Sequence, residues 1–102
     1  MSTVADLAEL IRSKNAGPFW LTIDIFCDEH EAFRRLALSA VTDPSVIAEI
    51  YSVPRDQVRV WAISSLLAIK ISFPRPIPHG SVGDRDMHGG QQYVPLLALE
   101  VA

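Results

Sequence analysis

Apolar and polar residues alternate along two segments of the chain, Phe19–Cys27 and Gln57–Ile63, as they do in half-buried β-strands. A third strand is predicted over Leu66–Phe73, where Lys70 is the only charged residue in an apolar run. The intervening Ser64-Ser65 is expected to form a turn that pairs the second and third strands antiparallel. A short fourth strand is predicted over Leu96–Val101 with Glu100 facing outward.

Helical spacing of apolar residues predicts three helices. The first is predicted over Val4–Ser13 and is expected to end at Asn15-Ala16-Gly17-Pro18, because Gly suits a left-handed cap and Pro cannot continue a helix. The second begins at Asp28–Glu31, and the third has Asp43 as its cap and Pro44 at its first position. The elements are segregated, which predicts an α+β fold: a small, mostly antiparallel four-stranded sheet with about three helices packed on one face.

A long loop precedes the last strand, over Pro74–Pro95. It contains four of the five glycines and four of the seven prolines, and it has no repeat of apolar positions. Such loops, longer than about 12–15 residues, are usually functional or disordered. The chain is therefore expected to be a single accessory-type domain, residues 1–102, with residues 74–95 as a candidate binding segment.

Composition narrows the class of protein. The chain has 102 residues, enough for one domain, and a net charge of -3, which gives no long-range attraction for nucleic acid or anionic lipid. Its one cysteine, Cys27, cannot form an internal disulfide. A cytoplasmic location is expected, because no apolar run approaches the ~20 residues of a membrane span and the first residues lack the pattern of an export signal.

One face of the first strand bears Trp20, Thr22, Asp24 and Phe26 and so mixes aromatic and polar residues. This face is expected to be half covered, with another chain as a candidate for the cover. Asp24 either faces solvent or points at a ligand or at Lys70 on a neighbouring strand, because aspartate is depleted in strands. Lys70 in turn is either exposed or held by a carboxylate.

Candidate binding residues are polar side chains of the turn in which the first helix ends, which also includes Arg12, and of the strands and the long loop. Arg75 lies between two prolines that hold it extended, which suits a bidentate grip on a carboxylate or phosphate. The candidate ligand- or partner-binding residues are Ser13, Lys14, Asn15, Asp24, Lys70, Arg75, Asp84, Asp86, Gln91 and Gln92.

Signals for catalysis and for metal binding are weak. No nucleophile signature surrounds Ser81 or Cys27, and the set His79, Asp84, Asp86 and His88 matches no known metal cage. No cofactor and no metal are therefore expected.

The segment Ile47–Ala62 has the residue pattern of a DNA-binding helix-turn-helix: an apolar helix, then Val-Pro, then a second possible helix that carries Arg55, Gln57 and Arg59. Two observations argue against this interpretation. The net negative charge of the chain does not attract DNA phosphates. Val58–Trp61 is rich in strand-forming residues where a recognition helix should be.

The chain closely resembles a small bacterial family of unknown function, the DUF4387-type family, in two blocks: RSKNAGPFWLTIDIF at Arg12–Phe26 and AIKISFPRPIPHGSVGDRDMHGGQQYVPLL at Ala68–Leu97. Members of this family occur beside, or fused to the C-terminus of, AtuA-type proteins named for acyclic terpene utilisation. One departure is Tyr93, where the family is expected to have a histidine, so no role of that histidine is carried over.

The resemblance implies a partner more than a reaction. It implies a cytosolic complex that acts on branched or isoprenoid carboxylic acids or their CoA thioesters. We expect an accessory subunit that docks on an AtuA-type protein and helps to form an anion-binding site at the junction, with homo-oligomerisation as a further option. The alternatives are a stand-alone homo-oligomeric hydratase or lyase and a helix-turn-helix regulator.

Overall fold

A computed structural model describes residues 2–17, 19–74 and 94–101. The main sheet has four antiparallel strands in the order β2-β3-β5-β4, and a separate small sheet pairs β1 with β6. The strands are β1 Ser2–Thr3, β2 Leu10–Asn15, β3 Trp20–Phe26, β4 Arg59–Ile63, β5 Ala68–Pro74 and β6 Glu100–Val101. The helices are α1 Val4–Leu7, α2 His30–Ala37 and α3 Pro44–Tyr51. Short 3-10 turns lie at Ala40–Thr42, Arg55–Gln57, Ser64–Leu66 and Val94–Leu96.

The predicted α+β class is confirmed, and the strand predicted over Phe19–Cys27 is β3. The third helix begins as predicted: the Asp43 carboxylate accepts a hydrogen bond from the Ser45 backbone N–H at 2.9 Å, and Pro44 takes the first helical position. The helix then ends at Ser52, which adopts the left-handed conformation.

The predicted first helix is wrong beyond its first turn. A capping box between Thr3 and Asp6 starts α1, but Ala8 is already extended, and β2 follows. The segment around Gly17 (φ 84°) is a hairpin turn, in which the Ala16 N–H donates to the Trp20 carbonyl at 2.9 Å. Pairing of β2 with β3 satisfies the backbone groups of alternate residues along β2, those that point toward β3, which a longer helix would have bonded internally.

The predicted terminal strand over Leu96–Val101 is also too long. Its first part is a 3-10 turn, and only β6 pairs, with Ser2 opposite Val101 and Thr3 opposite Glu100. Glu100 is exposed, as predicted. The fourth strand of the main sheet is therefore β2, from the N-terminal part of the chain, rather than the last strand.

The helices cover one face of the main sheet. The side chains on this face in β3 and β5 are almost fully buried, with at most 1% exposed: Leu21, Ile23, Ile25, Ile69, Ile71 and Phe73. They form one core with Leu36 of α2 and with Ile47 and Tyr51 of α3. The Tyr51 and Phe73 rings lie 4.4 Å apart between centroids, tilted by 32°, so α3 packs directly on β5.

Candidate functional site

The other face of the main sheet is built from alternate residues of all four strands, because directly opposite residues of antiparallel strands share a face. We call it the open face. Within the described part of the chain, none of its side chains belongs to the core that the helices form. Its members are Leu10, Arg12 and Lys14 of β2, Trp20, Thr22, Asp24 and Phe26 of β3, Ala68, Lys70, Ser72 and Pro74 of β5, and Arg59, Trp61 and Ile63 of β4.

A row of four residues crosses the middle of the open face: Arg12, Asp24, Lys70 and Trp61 lie side by side on successive strands. The Arg12 Nε lies 3.7 Å from the Asp24 Oδ2. The Arg12 guanidinium carbon also lies 5.2 Å from the centroid of the Phe26 ring, within the range of a cation–π contact. Arg12 is therefore held between a carboxylate and an aromatic face.

Lys70 is exposed and directly opposite Asp24 in the ladder, so the two predicted site residues are brought together. The ion-pair partner of Asp24 is nevertheless Arg12, and among the described residues no carboxylate oxygen lies within 4.0 Å of the Lys70 ammonium.

A second row consists of Lys14, Thr22, Ser72 and Arg59. With it, the open face has four cations and one carboxylate, a net charge of +3 on a chain whose formal charge is -3. Two indoles add apolar surface, since Trp20 is 39% and Trp61 45% exposed. The face is therefore positive and aromatic on an otherwise acidic molecule.

The predicted cluster Ser13, Lys14 and Asn15 is split by the strand. These residues were expected in a turn after a helix, but they lie in β2, where successive side chains point to opposite faces. Lys14 is on the open face, whereas Ser13, which is buried, and Asn15, which is half-buried, are on the helix side. The other predicted residues, Arg75, Asp84, Asp86, Gln91 and Gln92, lie outside the described residues, as does most of the Pro74–Pro95 loop.

The prediction of site residues missed Arg59, Trp20 and Trp61. The alternation in Gln57–Ile63 already puts Arg59 and Trp61 on one face. What the sequence does not give is the strand order, which brings that face beside Lys70.

The described residues offer little for catalysis. They include no group of three His, Cys, Asp or Glu side chains that could hold a metal ion. Cys27 is buried, and this burial, with the charge of Asp28, raises the pKa of its thiol, which disfavours the reactive thiolate. Guanidinium, ammonium and indole groups at a surface bind anions and stack; they do not by themselves transfer groups.

The segment with the cadence of a helix-turn-helix has no second helix. After α3 the chain forms the short 3-10 turn Arg55–Gln57 and then β4, which confirms the strand prediction there. Separately, none of the helices in the described ranges is long and apolar enough to cross a membrane.

The fold and the open face define a small α+β domain with a surface suited to binding. The chain belongs to the family described as Domain of unknown function (DUF4387), whose model matches residues 4–100. No curated protein and no solved structure matches the chain.

Proposed function

We propose that this domain is an accessory subunit that docks through its open face on a larger AtuA-type protein. There it helps to form a site for a carboxylate or a CoA thioester in the catabolism of branched or isoprenoid acids. The observation that carries the proposal is the open face itself, with a net charge of +3 and two half-exposed indoles on an acidic chain. The choice of an AtuA-type partner comes from the family resemblance.

The side chains of the open face are of the types that supply most binding energy at protein interfaces. Tryptophan and arginine are enriched among residues whose truncation costs about 2 kcal/mol or more. Trp61 is the last member of the first row, on β4, and Trp20 lies on β3, one row beyond the second row. An acidic partner surface would meet this face with complementary charge, which speeds association and selects the partner.

The same face supports binding of a small anion at the junction. Lys70 has no carboxylate within ion-pair distance among the described residues, and Arg59 lies on the neighbouring strand one row away. A domain of this size does not by itself enclose a ligand pocket of ~300 Å³ or more, so a second protein surface would complete the site. Asp24 would hold Arg12 in place rather than contact the anion.

The test is co-expression of the full chain with its AtuA-type partner, followed by co-elution and titration calorimetry. Lys70→Glu should weaken docking at least about tenfold, because it opposes charge across a complementary interface. Arg34→Glu is the matched control: it makes the same charge change at an exposed arginine on α2, away from the open face, and should leave affinity unchanged. Higher salt should slow association of the wild-type pair.

Two results would count against the proposal. One is a chain that does not co-elute with the AtuA-type protein; the other is a Lys70→Glu/Trp61→Ala variant that binds as tightly as the wild type. Turnover of a CoA thioester by the purified chain, lost in Lys70→Ala or Asp24→Asn, would instead support the stand-alone hydratase or lyase.

A further inference from the structure

The main sheet has two edge strands, β2 and β4, and the hydrogen bonds fix which backbone groups of β4 point outward. Cys27 N–H donates to the Leu67 carbonyl, and this pair continues the β3–β5 register one residue beyond its last pair, Phe26 and Ala68. Alternate residues of a strand point their backbone groups to the same side. The odd-numbered residues of β5 therefore point their backbone N–H and C=O groups toward β3, and the even-numbered residues point theirs toward β4.

The register of β4 on β5 then determines the outer edge. Arg59, Trp61 and Ile63 lie opposite even-numbered residues of β5 and so turn their backbone groups toward it. Val60 and Ala62 turn theirs away from the sheet. No backbone hydrogen bond from the described residues, apart from the ladder itself, involves these two positions.

Within its own five residues, β4 lacks the features by which a strand protects a sheet edge. Such edges usually carry proline, a bulge, or charges along the strand. β4 has a charge only at its first residue, Arg59, and its centre is the exposed Trp61 followed by the exposed Ala62. The opposite edge, β2, has Arg12 and Lys14 within it. The exposed polar backbone and the apolar side chains of β4 together suit an added strand.

We propose that β4 is a self-pairing edge: two copies of the chain join β4 to β4 antiparallel, about a two-fold axis at Trp61. In this register Val60 lies opposite Ala62 of the second copy, and both exchange backbone hydrogen bonds. Trp61 lies opposite Trp61 of the second copy at a non-hydrogen-bonded site, where side chains approach most closely and aromatic pairs stabilise the ladder. The result is one continuous eight-stranded antiparallel sheet.

Charge favours this contact between copies over stacking of the open faces. Stacking would bring four cations against four cations. At the paired edge Arg59 meets only Ile63 of the second copy, so no like charges are opposed. Because five-residue strands bury less than the ~1,200 Å² of a standard interface, the dimer is weak and depends on concentration. Both open faces lie on the same side of the joined sheet.

Sedimentation velocity over a wide concentration range tests the dimer, and Ala62→Pro tests the edge. Proline removes an N–H that points outward, so the β4–β5 ladder is kept, and Ala62 is exposed, so no core contact is lost. The dimer dissociation constant should rise about tenfold or more, since a hydrogen bond is lost from each copy. Ala62→Val keeps the N–H and should leave dimerisation intact. A wild-type chain that stays monomeric, or an Ala62→Pro chain that dimerises as the wild type does, would overturn the proposal.

Two further measurements test the register. Amide exchange at Val60 and Ala62 should slow as the chain concentration rises, while exchange at Trp61, already bonded to β5, should not change. Trp61→Cys should form an intermolecular disulfide on oxidation, because the Cα separation of about 4.5 Å at such a site fits disulfide geometry. The wild type is the control, since its one cysteine, Cys27, is buried. A dimer without this disulfide, or with unchanged exchange at Val60 and Ala62, would overturn the register. Ala62→Pro retains every cation of the open face, so loss of the dimer is distinguishable from loss of docking.

Discussion

The strength of the interaction between Arg12 and Asp24 shows whether the open face is in contact with water. Two variants, Arg12→Met and Asp24→Asn, with their double mutant form a thermodynamic cycle for the ion pair at 3.7 Å. At that separation two unit charges attract by about 1 kcal/mol in water and by about 4 kcal/mol at an effective dielectric constant of 20. The Arg12 side chain is 59% exposed, so water screens the pair although the Asp24 side chain is only 15% exposed, and we expect a coupling of roughly 0.2–1 kcal/mol.

Urea denaturation of the four proteins at low salt and at 1 M NaCl measures this coupling. It should decrease at 1 M salt, where the Debye length is about 3 Å. The matched reference is the exposed Arg34–Glu31 pair on α2, with an Nη2–Oε1 distance of 2.7 Å, which should show a coupling of similar size. A second cycle with Phe26→Leu should give about 0.5–1 kcal/mol for the cation–π contact.

One result would refute the reasoning. A coupling of about 3 kcal/mol or more between Arg12 and Asp24, unchanged by salt, is the behaviour of a desolvated pair. The open face would then be covered within the chain itself, and docking through it would have no support.

Three further predictions concern the folded chain. Ile71→Val should lower the free energy of unfolding by about 0.5–1.5 kcal/mol in urea titrations, whereas Leu38→Ala, at a side chain 79% exposed, should change it by less than about 0.5 kcal/mol. Burial raises the pKa of the Tyr51 hydroxyl above its unfolded value, so the free energy of unfolding should fall as the pH rises above about 10. Tyr51→Phe should make that fall shallower in urea titrations at pH 8 and pH 11. An equal fall in both proteins would show that Tyr51 is not its cause. Ser52→Gly should raise the thermal midpoint, with a gain of about 1 kcal/mol, because Ser52 is left-handed (φ 55°); a loss would show that its side chain outweighs the strain.

The sequence predicts elements well where local signals agree. Strict alternation identifies β3, and the Asp43-Pro44 pair identifies the start of α3. The prediction is wrong over Val4–Ser13, because Val4, Leu7, Ala8 and Ile11 have helical spacing. The alternation that would indicate a strand is weak there, since the polar residues Ser13 and Asn15 occupy positions on the core side. Pairing with β3 decides the outcome, and such a long-range contact is absent from any local window.

The candidate site is predictable only in part, for the same reason. The sequence predicts Asp24 and Lys70 in two strands and suggests that these strands are neighbours. The β3–β5 register confirms that the two residues lie opposite each other. Ser13 and Asn15 could not be separated from Lys14 without knowing that the segment is a strand. Arg12, Arg59 and Trp61 gain their place from the strand order, which depends on the whole fold.

The pairing of β1 with β6 has a consequence for any protein to which this domain is joined. Ser2 lies opposite Val101, so the two ends of the described chain lie on neighbouring strands, about 5 Å apart. A linker attached before residue 2 or after residue 101 would leave from the same corner of the molecule. Tethering from either side would therefore present the domain in nearly the same pose, and a circular permutant that links the ends by a few glycines should keep its architecture.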